Sequence, residues 1–381
     1  MLITCFLLLK HGKKSAILIL TKPKGNKFME LTNTKLEIQK KLDSLDFGSY
    51  ALLVGYGDRE WCYMSDDVDL DTYFDAASVG KVYPTTALAL KAIGTGLLSL
   101  DDTLEKFFSN VPDDKKNITV KNLLTHTSGL LRTPYPENIA ERGRESVIEF
   151  LLSKPLVYET GSHFAYCCDG IMLVGLILEK VYGAPLEEIF RIHMKEPLGL
   201  TRTTYHISLN EENTVMCNHR EDLGGLIYDD DNVRQLRGIP AGNGGNFITA
   251  GDLQKFVKAI IAKDERLYPK EMYDIAEQNY TADLTVLDEK RSIENHGLGF
   301  VYVNENCAQA RDLFPEGSIG HVGWSGQSFF LNRELGLYVI LLTNSMRYQN
   351  LKKKLKGIAR DNAVHQMRID IHRAIKKDLG L

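Results

Sequence analysis

Apolar positions recur along the chain at two spacings, one helical and one alternating, and the switches between them mark its elements. In "MELTNTKLEIQKKLDSL", Leu31, Leu36, Ile38 and Leu42 fall near helical spacing and predict a first helix. "YALLVGYGD" and "EWCYMSD" then read as two short strands joined by a Gly-Asp turn, a hairpin pattern. From Ser78 to Ile93 the residues are apolar and helix-forming until Gly94 and Gly96 stop them. Pro84 lacks the N–H that would bond Gly80, so a kink or a nonstandard first turn is expected there. "SLDDTLEKFF" predicts another helix, and "TVKNLLTH" one that opens on a Thr suited to an N-cap and closes at Ser128-Gly129. "ESVIEFLLSK" and "GIMLVGLILEKVYG" predict two more, the second apolar almost all round and so deeply buried. "AGDLQKFVKAIIAK" is amphipathic.

Strands return late, in "GLGFVYVN" and in "SIGHVGWSGQSFFLNRELGLYVILLTN", where β-branched and aromatic runs are separated by Gly and an Asn-Arg-Glu-Leu-Gly turn. The chain closes on a helix with Val364, Met367, Ile371 and Ile375 on one face. Strands at both ends with helices between predict an α/β (α+β) fold. One antiparallel sheet, built from distant segments and flanked by N- and C-terminal helices, accompanies a mainly helical domain. Residues 29–75 and 285–381 are assigned to the sheet domain and 76–284 to the helical one, with the cleft at their interface. Residues 1–28 are expected to form an extension outside the catalytic fold.

Composition narrows the partners. The 381 residues are 44% hydrophobic and 25% charged, with a formal net charge of −4, so neither nucleic acid nor an anionic membrane is the expected partner. The apolar start "MLITCFLLLKHGKKSAILIL" is broken by Lys10, His11, Lys13 and Lys14, well short of the ~20 apolar residues of a spanning helix. It also lacks a basic leader and a small-residue cleavage site, so action in the cytoplasm is expected over export. The six cysteines show no CxxC pair or Cys/His ligand spacing, and reduced thiols are expected. Neither metal nor organic cofactor is implied.

Common catalytic signatures are absent. "GWSG" lacks the spacing of a GxSxG elbow. Gly80-Lys81 is not a phosphate loop, because Asp75 stands where its first glycine belongs and Val82 follows the lysine. "ASVGKVYP" remains, with Ser78 and Lys81 three residues apart. On a helix that spacing sets both side chains on one face, so an amine reaches a hydroxyl that is hardly ionised by itself. A lysine serves as the base only where burial or a second cation favours its neutral form. By itself the pattern is weak, and the pair reads more readily as a helix N-terminal serine and a solvated lysine.

"SVGK", "LLTHTSGL", "FAYCCDGIMLVGLILEKVYG" and "GHVGWSGQSFF", in this order, resemble the serine β-lactamase-like hydrolases. That superfamily includes class C β-lactamases, D-alanyl-D-alanine carboxypeptidases, family VIII esterases and D-amino-acid amidases. The resemblance runs from about Leu52 to Asn344 and implies a β-lactamase/transpeptidase-like fold. It implies that Ser78 forms an acyl-enzyme, that Lys81 takes its proton, and that Tyr166 shuttles the proton between serine and leaving group, its phenolate form being stabilised by Lys81. It places Gly323 beside the substrate and pairs the N–H groups of Ser78 and Trp324 as an oxyanion hole. His321 stands where many relatives have a lysine, which weakens a fixed charge for a substrate carboxylate. The main departure is Cys168, where the family's Y-x-N element has an asparagine that contacts the substrate amide; a thiol is a poor substitute. "HTSG", residues 126–129, is expected to brace the site, and "AGNGGNFITAGDL" to set a glycine-rich turn near it. "IYDDDNVRQLRG" resembles a V-H-D-x-N-A loop of the esterase-like relatives, and Asp229 to Asp231 read as a solvated loop.

The functions left open are three. The first is a serine hydrolase acting on esters or D-amino-acid amides and peptides. The second is a D-alanyl-D-alanine carboxypeptidase or penicillin-binding protein of cell-wall metabolism. The third is a catalytically weakened member that binds a ligand in the same cleft. The expected partner is a small-molecule or peptide-like substrate.

Overall fold

A computed structural model describes residues 16–18, 30–131, 135–136, 139–207, 213–215, 217, 240, 242–287, 294–347 and 363–381. In chain order the strands are β1 (Ala16–Leu18), β2 (Tyr50–Tyr56), β3 (Arg59–Met64), β4 (Tyr73–Asp75), β5 (His163–Phe164), β6 (Thr214–Val215) and β7 (Phe247–Thr249). They continue as β8 (Thr285–Val286), β9 (Asn295–His296), β10 (Val301–Tyr302), β11 (Ile319–Val322), β12 (Ser328–Asn332) and β13 (Leu337–Thr343). The helices are α1 (Thr32–Asp43), α2 (Ala87–Gly94), α3 (Leu104–Phe107), α4 (Val120–Leu124), α5 (Gly143–Ser153) and α6 (Cys168–Tyr182). Beyond them lie α7 (Leu186–Phe190), α8 (Glu196–Leu198), α9 (Ala250–Ile261), α10 (Glu271–Ala276) and α11 (Ala363–Leu379).

The main sheet runs β1-β3-β2-β13-β12-β11-β10-β9, with every neighbouring pair antiparallel. Strands from the two ends of the chain therefore interleave, as the late return of strand-forming runs predicts. Both faces are covered, because successive side chains of a strand point to opposite sides. Leu53, Ile340 and Leu342 face the core shared with the helices. Leu52, Val54, Val339 and Leu341 face a second core closed by α1 and α11. Val364, Met367, Ile371 and Ile375 fill that second core as their spacing predicts. Asp378 of α11 accepts the N–H groups of Asn33 and Thr34 at 2.9 and 2.8 Å, supplying the cap that α1 lacks locally.

Several expectations shift. Leu36 stands in solvent; the inner face of α1 carries Thr34, Ile38 and Lys41 instead, and Lys41 pairs with Asp370 of α11. The "TVKNLLTH" helix begins at the Thr119 cap, which forms a reciprocal box with Asn122, but it ends at Leu124, and His126 takes a φ of +58°. Within "GLGFVYVN" only Val301–Tyr302 is strand. Ala16–Leu18, inside the segment expected to lie apart, pairs with β3 at the sheet edge. The short pairings β6-β4-β7 and β5-β8 carry no sequence signal strong enough to predict them. Among the described residues no helix is long and apolar enough to cross a membrane.

Candidate active site

The Ser78 segment leaves β4 through a tight bend. Ala77 takes a φ of +47°, a conformation costly for a residue with a Cβ, and Asp75 Oδ1 holds its N–H at 2.7 Å. Residues Ala77–Lys81 then form a 3₁₀ turn rather than the start of an α-helix. Three residues per turn eclipse positions i and i+3, which brings the two side chains closer in line than an α-helix would. Lys81 Nζ lies 2.8 Å from Ser78 Oγ. The break expected at Pro84 appears at Tyr83, whose φ of −113° and ψ of 93° are not helical; the Tyr83–Pro84 peptide is cis, and α2 begins at Ala87.

Lys81 is 1% exposed, and its Nζ also donates to Asn243 O at 3.0 Å. That carbonyl belongs to the glycine-rich turn before β7. The turn packs so tightly that a Cβ on Gly242 would sit 2.6 Å from Ile171 O and 3.0 Å from Gly175 Cα of α6. Thr85 Oγ1 donates to Gly242 O, and Asn246 Nδ2 donates to Tyr83 O at 2.9 Å, which ties the turn to the Ser78 segment. Sequence proximity to the pocket was legible in "AGNGGNF"; the role of the Asn243 carbonyl as the amine's acceptor was not.

Tyr166 sits between β5 and α6, its ring 5.3 Å from Lys81 Nζ and its hydroxyl in hydrogen-bond reach of both Ser78 and Lys81. Burial raises its pKa above the ordinary tyrosine value and outweighs the pull of Lys81. Burial thus favours the protonated phenol at rest, while Lys81 pulls the other way, toward the phenolate form. His126 braces this segment: its ring packs 4.6 Å from the Tyr166 ring, its Nδ1 lies 3.2 Å from the Cys167 N–H, and its carbonyl accepts from Ala165 N at 3.1 Å.

On the opposite wall stand His321 and Gly323. A Cβ on Gly323 would meet Ala76 O and Ala77 Cβ at 3.2 Å, so this strand end lies directly against the Ser78 segment. Trp324 follows, 45% exposed. His321 is buried, its Nδ1 2.9 Å from Val322 O, and burial drives its pKa well below the ordinary histidine value. It is neutral and offers no fixed cation. Cys168, the first residue of α6, is buried beside Tyr166, whose pKa it helps to raise.

Two groups here escaped sequence reasoning. His296 stacks on Phe164 at 5.0 Å, lies 6.0 Å from the Tyr166 ring, and has its pKa pushed down to about 4 by burial. Nothing in "NHGLGF" announces it. At the start of α6, Asp169 forms a buried ion pair with Lys154 and accepts from the Tyr135 hydroxyl at 3.3 Å. Among the described residues no three His, Cys, Asp or Glu side chains converge as a metal site requires. Residues 227–238, with Asp229 to Asp231, lie outside the described residues.

Residues 37–362 match the sequence model of the Beta-lactamase family. A putative D-alanyl-D-alanine carboxypeptidase of Escherichia coli (strain K12) is 26% identical over 311 residues, 72% of this chain and 69% of that protein. The structure of EstCE1, described as a hydrolase with promiscuous acyltransferase activity, superposes with a TM-score of 0.69 at 20% identity, over 90% of this chain and 97% of that one. A LovD6 mutant of simvastatin synthase from Aspergillus terreus superposes with a TM-score of 0.68 at 18% identity, over 94% and 100%. At these identities the two structures establish the fold.

Proposed function

The chain belongs to the beta-lactamase family, and from that premise we propose that it is a serine hydrolase that forms an acyl-enzyme on Ser78. The observation that carries the reading is the buried Lys81 amine, 2.8 Å from Ser78 Oγ and anchored on a neutral carbonyl. A charge enclosed there would be costly. In this reading the neutral amine takes the Ser78 proton as Oγ attacks the substrate carbonyl. The tetrahedral oxyanion is met by the N–H groups of Ser78 and Trp324. Collapse breaks the bond to the leaving group, which takes a proton from the Tyr166 phenol, and Lys81 restores that proton. Water then attacks the acyl-enzyme by the reverse relay and frees Ser78.

Esters are the favoured substrates. Cys168 replaces the amide that would hold a peptide-like carbonyl, and His321 is neutral where a substrate carboxylate would seek a cation. The carboxypeptidase-named relative favours a second reading, cleavage of D-alanyl-D-alanine peptides. Labelling with a fluorophosphonate and with a fluorescent penicillin separates the two. Esterase character predicts labelling by the fluorophosphonate alone, abolished in Ser78→Ala. Labelling by both probes favours the peptidase. Labelling by neither, or labelling that survives Ser78→Ala, defeats the serine hydrolase reading.

A further inference from the structure

Arg368 of α11 is among the largest fully buried side chains, enclosed behind the wall that carries His321 and Gly323. Its Nη2 donates to Gly323 O at 2.5 Å and to Gln327 O at 3.0 Å, and its Nη1 donates to Gln309 Oε1 at 2.7 Å. These three acceptors are carbonyl oxygens; the Glu294 carboxylate, which accepts from Gln309 Nε2 at 3.1 Å, acts on the guanidinium through space and offsets part of the cost of burying it. Burying a guanidinium against neutral acceptors is an expensive way to hold a helix to a sheet, and apolar residues of similar volume commonly do so at lower cost. The position of one acceptor suggests what the charge does. Gly323 C=O and Trp324 N–H are the two ends of one peptide group.

We propose that Arg368 is a positioning residue for acyl transfer, holding and polarising the Gly323–Trp324 peptide so that the Trp324 N–H meets the oxyanion. The inference rests on the acyl-enzyme reading above. A peptide's carbonyl and N–H are coupled through its partial double bond, so a cation on the oxygen draws charge from the nitrogen and strengthens the N–H as a donor. A charge-assisted bond does this more strongly than a neutral one. The same guanidinium fixes the turn. Gln327 O accepts from both Arg368 and Gly323 N, the latter at 2.6 Å. Gln327 Nε2 reaches Asp75 O at 2.8 Å, and Asp75 Oδ1 holds the Ala77 N–H at 2.7 Å. Arg368 is thereby linked to both walls of the oxyanion site, the Trp324 peptide directly and the Ser78 segment through two side chains. It touches no reacting atom.

The test compares Arg368→Lys, Arg368→Gln and Arg368→Ala with Ile371→Ala, a core truncation one turn along the same helix. Hydrolysis of p-nitrophenyl acetate gives kcat and KM, and inhibition by phenylboronic acid reports affinity for a tetrahedral adduct. Losing an oxyanion donor costs about 10²–10³ in rate, so weakening one should lower kcat by about tenfold to a hundredfold while KM stays within about threefold. Boronate affinity should fall with kcat, Arg368→Lys should keep more activity than Arg368→Gln, and added guanidinium should restore part of the activity of Arg368→Ala. Ile371→Ala should lower Tm and leave kcat within about twofold. The proposal is overturned if folded Arg368→Lys and Arg368→Gln keep wild-type kcat, or if Ile371→Ala loses as much kcat at equal Tm. A wild-type protein that does not acylate at Ser78 overturns the hydrolase reading and this one together, whereas normal acylation in all Arg368 variants overturns this one alone.

Discussion

At the scale of single residues, the pocket is defined by which groups are denied their charge. His321 and His126 have pKa values driven well below the ordinary range by burial, and His296 sits at about 4, so three imidazoles stand uncharged around Tyr166. Their folded pKa values lie below the unfolded value of about 6.5. The unfolded chain therefore binds protons first, and stability that is complete above pH 6.5 falls as pH drops toward 4. Replacing His296 with Phe, which keeps the stack on Phe164, should flatten that fall by up to about 1.4 kcal/mol per pH unit, read from denaturant midpoints between pH 6.5 and 4. An unchanged slope would show that His296 is protonated in the fold. Cys168 bears on specificity. Cys168→Asn returns an amide donor and acceptor, and should raise amide turnover relative to ester turnover by about tenfold, the worth of one good hydrogen bond. A ratio that does not move removes Cys168 as a ground for the proposed ester preference.

Among elements, the order of motifs along the chain translates into walls of one cleft: the 3₁₀ turn of Ser78, the β5–α6 junction of Tyr166, the glycine turn before β7, and the end of β11. Much of that was readable. Periodicity located α5, α6, α9 and α11, because each buries a stripe or a whole surface and the stripe shows in the spacing, whereas α1 forms where expected but turns Leu36 to solvent and buries Thr34 and Lys41. Strands of two or three residues were not readable, since such a run is too short to show alternation. The Lys154–Asp169 pair was equally hidden, as neither residue type predicts burial. It anchors the end of α5 to the start of α6 just behind Tyr166. Lys154→Met leaves Asp169 buried without its cation and should cost about 3–5 kcal/mol in chemical unfolding. The double variant Lys154→Met/Asp169→Leu should recover part of that loss. If the single variant costs less than about 1 kcal/mol, the pair does not secure this junction.

For the whole molecule, the sheet joins the chain's two ends, and the site lies where β11 meets the Ser78 segment. β1 is at the sheet edge, with β3, β2, β13 and β12 between it and β11. Deletion of residues 1–28 should therefore leave the rate of fluorophosphonate labelling within about twofold while Tm falls by a few degrees, since the described part of that segment, Ala16–Leu18, contributes a three-residue edge pairing. A collapse of labelling in a protein that still folds would place that segment in the catalytic unit. What the sequence determined by itself was local: the three-residue step from Ser78 to Lys81, the break at Pro84, the apolar faces of the long helices, and the order of the motif stretches. These follow from backbone geometry, which acts between neighbours in the chain. Tertiary structure alone decided which groups surround the amine and the turn opposite it. Lys81 meets a carbonyl 162 residues away, and Arg368 reaches Gly323 across 45. Contacts at that separation depend on how the elements pack, and no spacing in the chain encodes them.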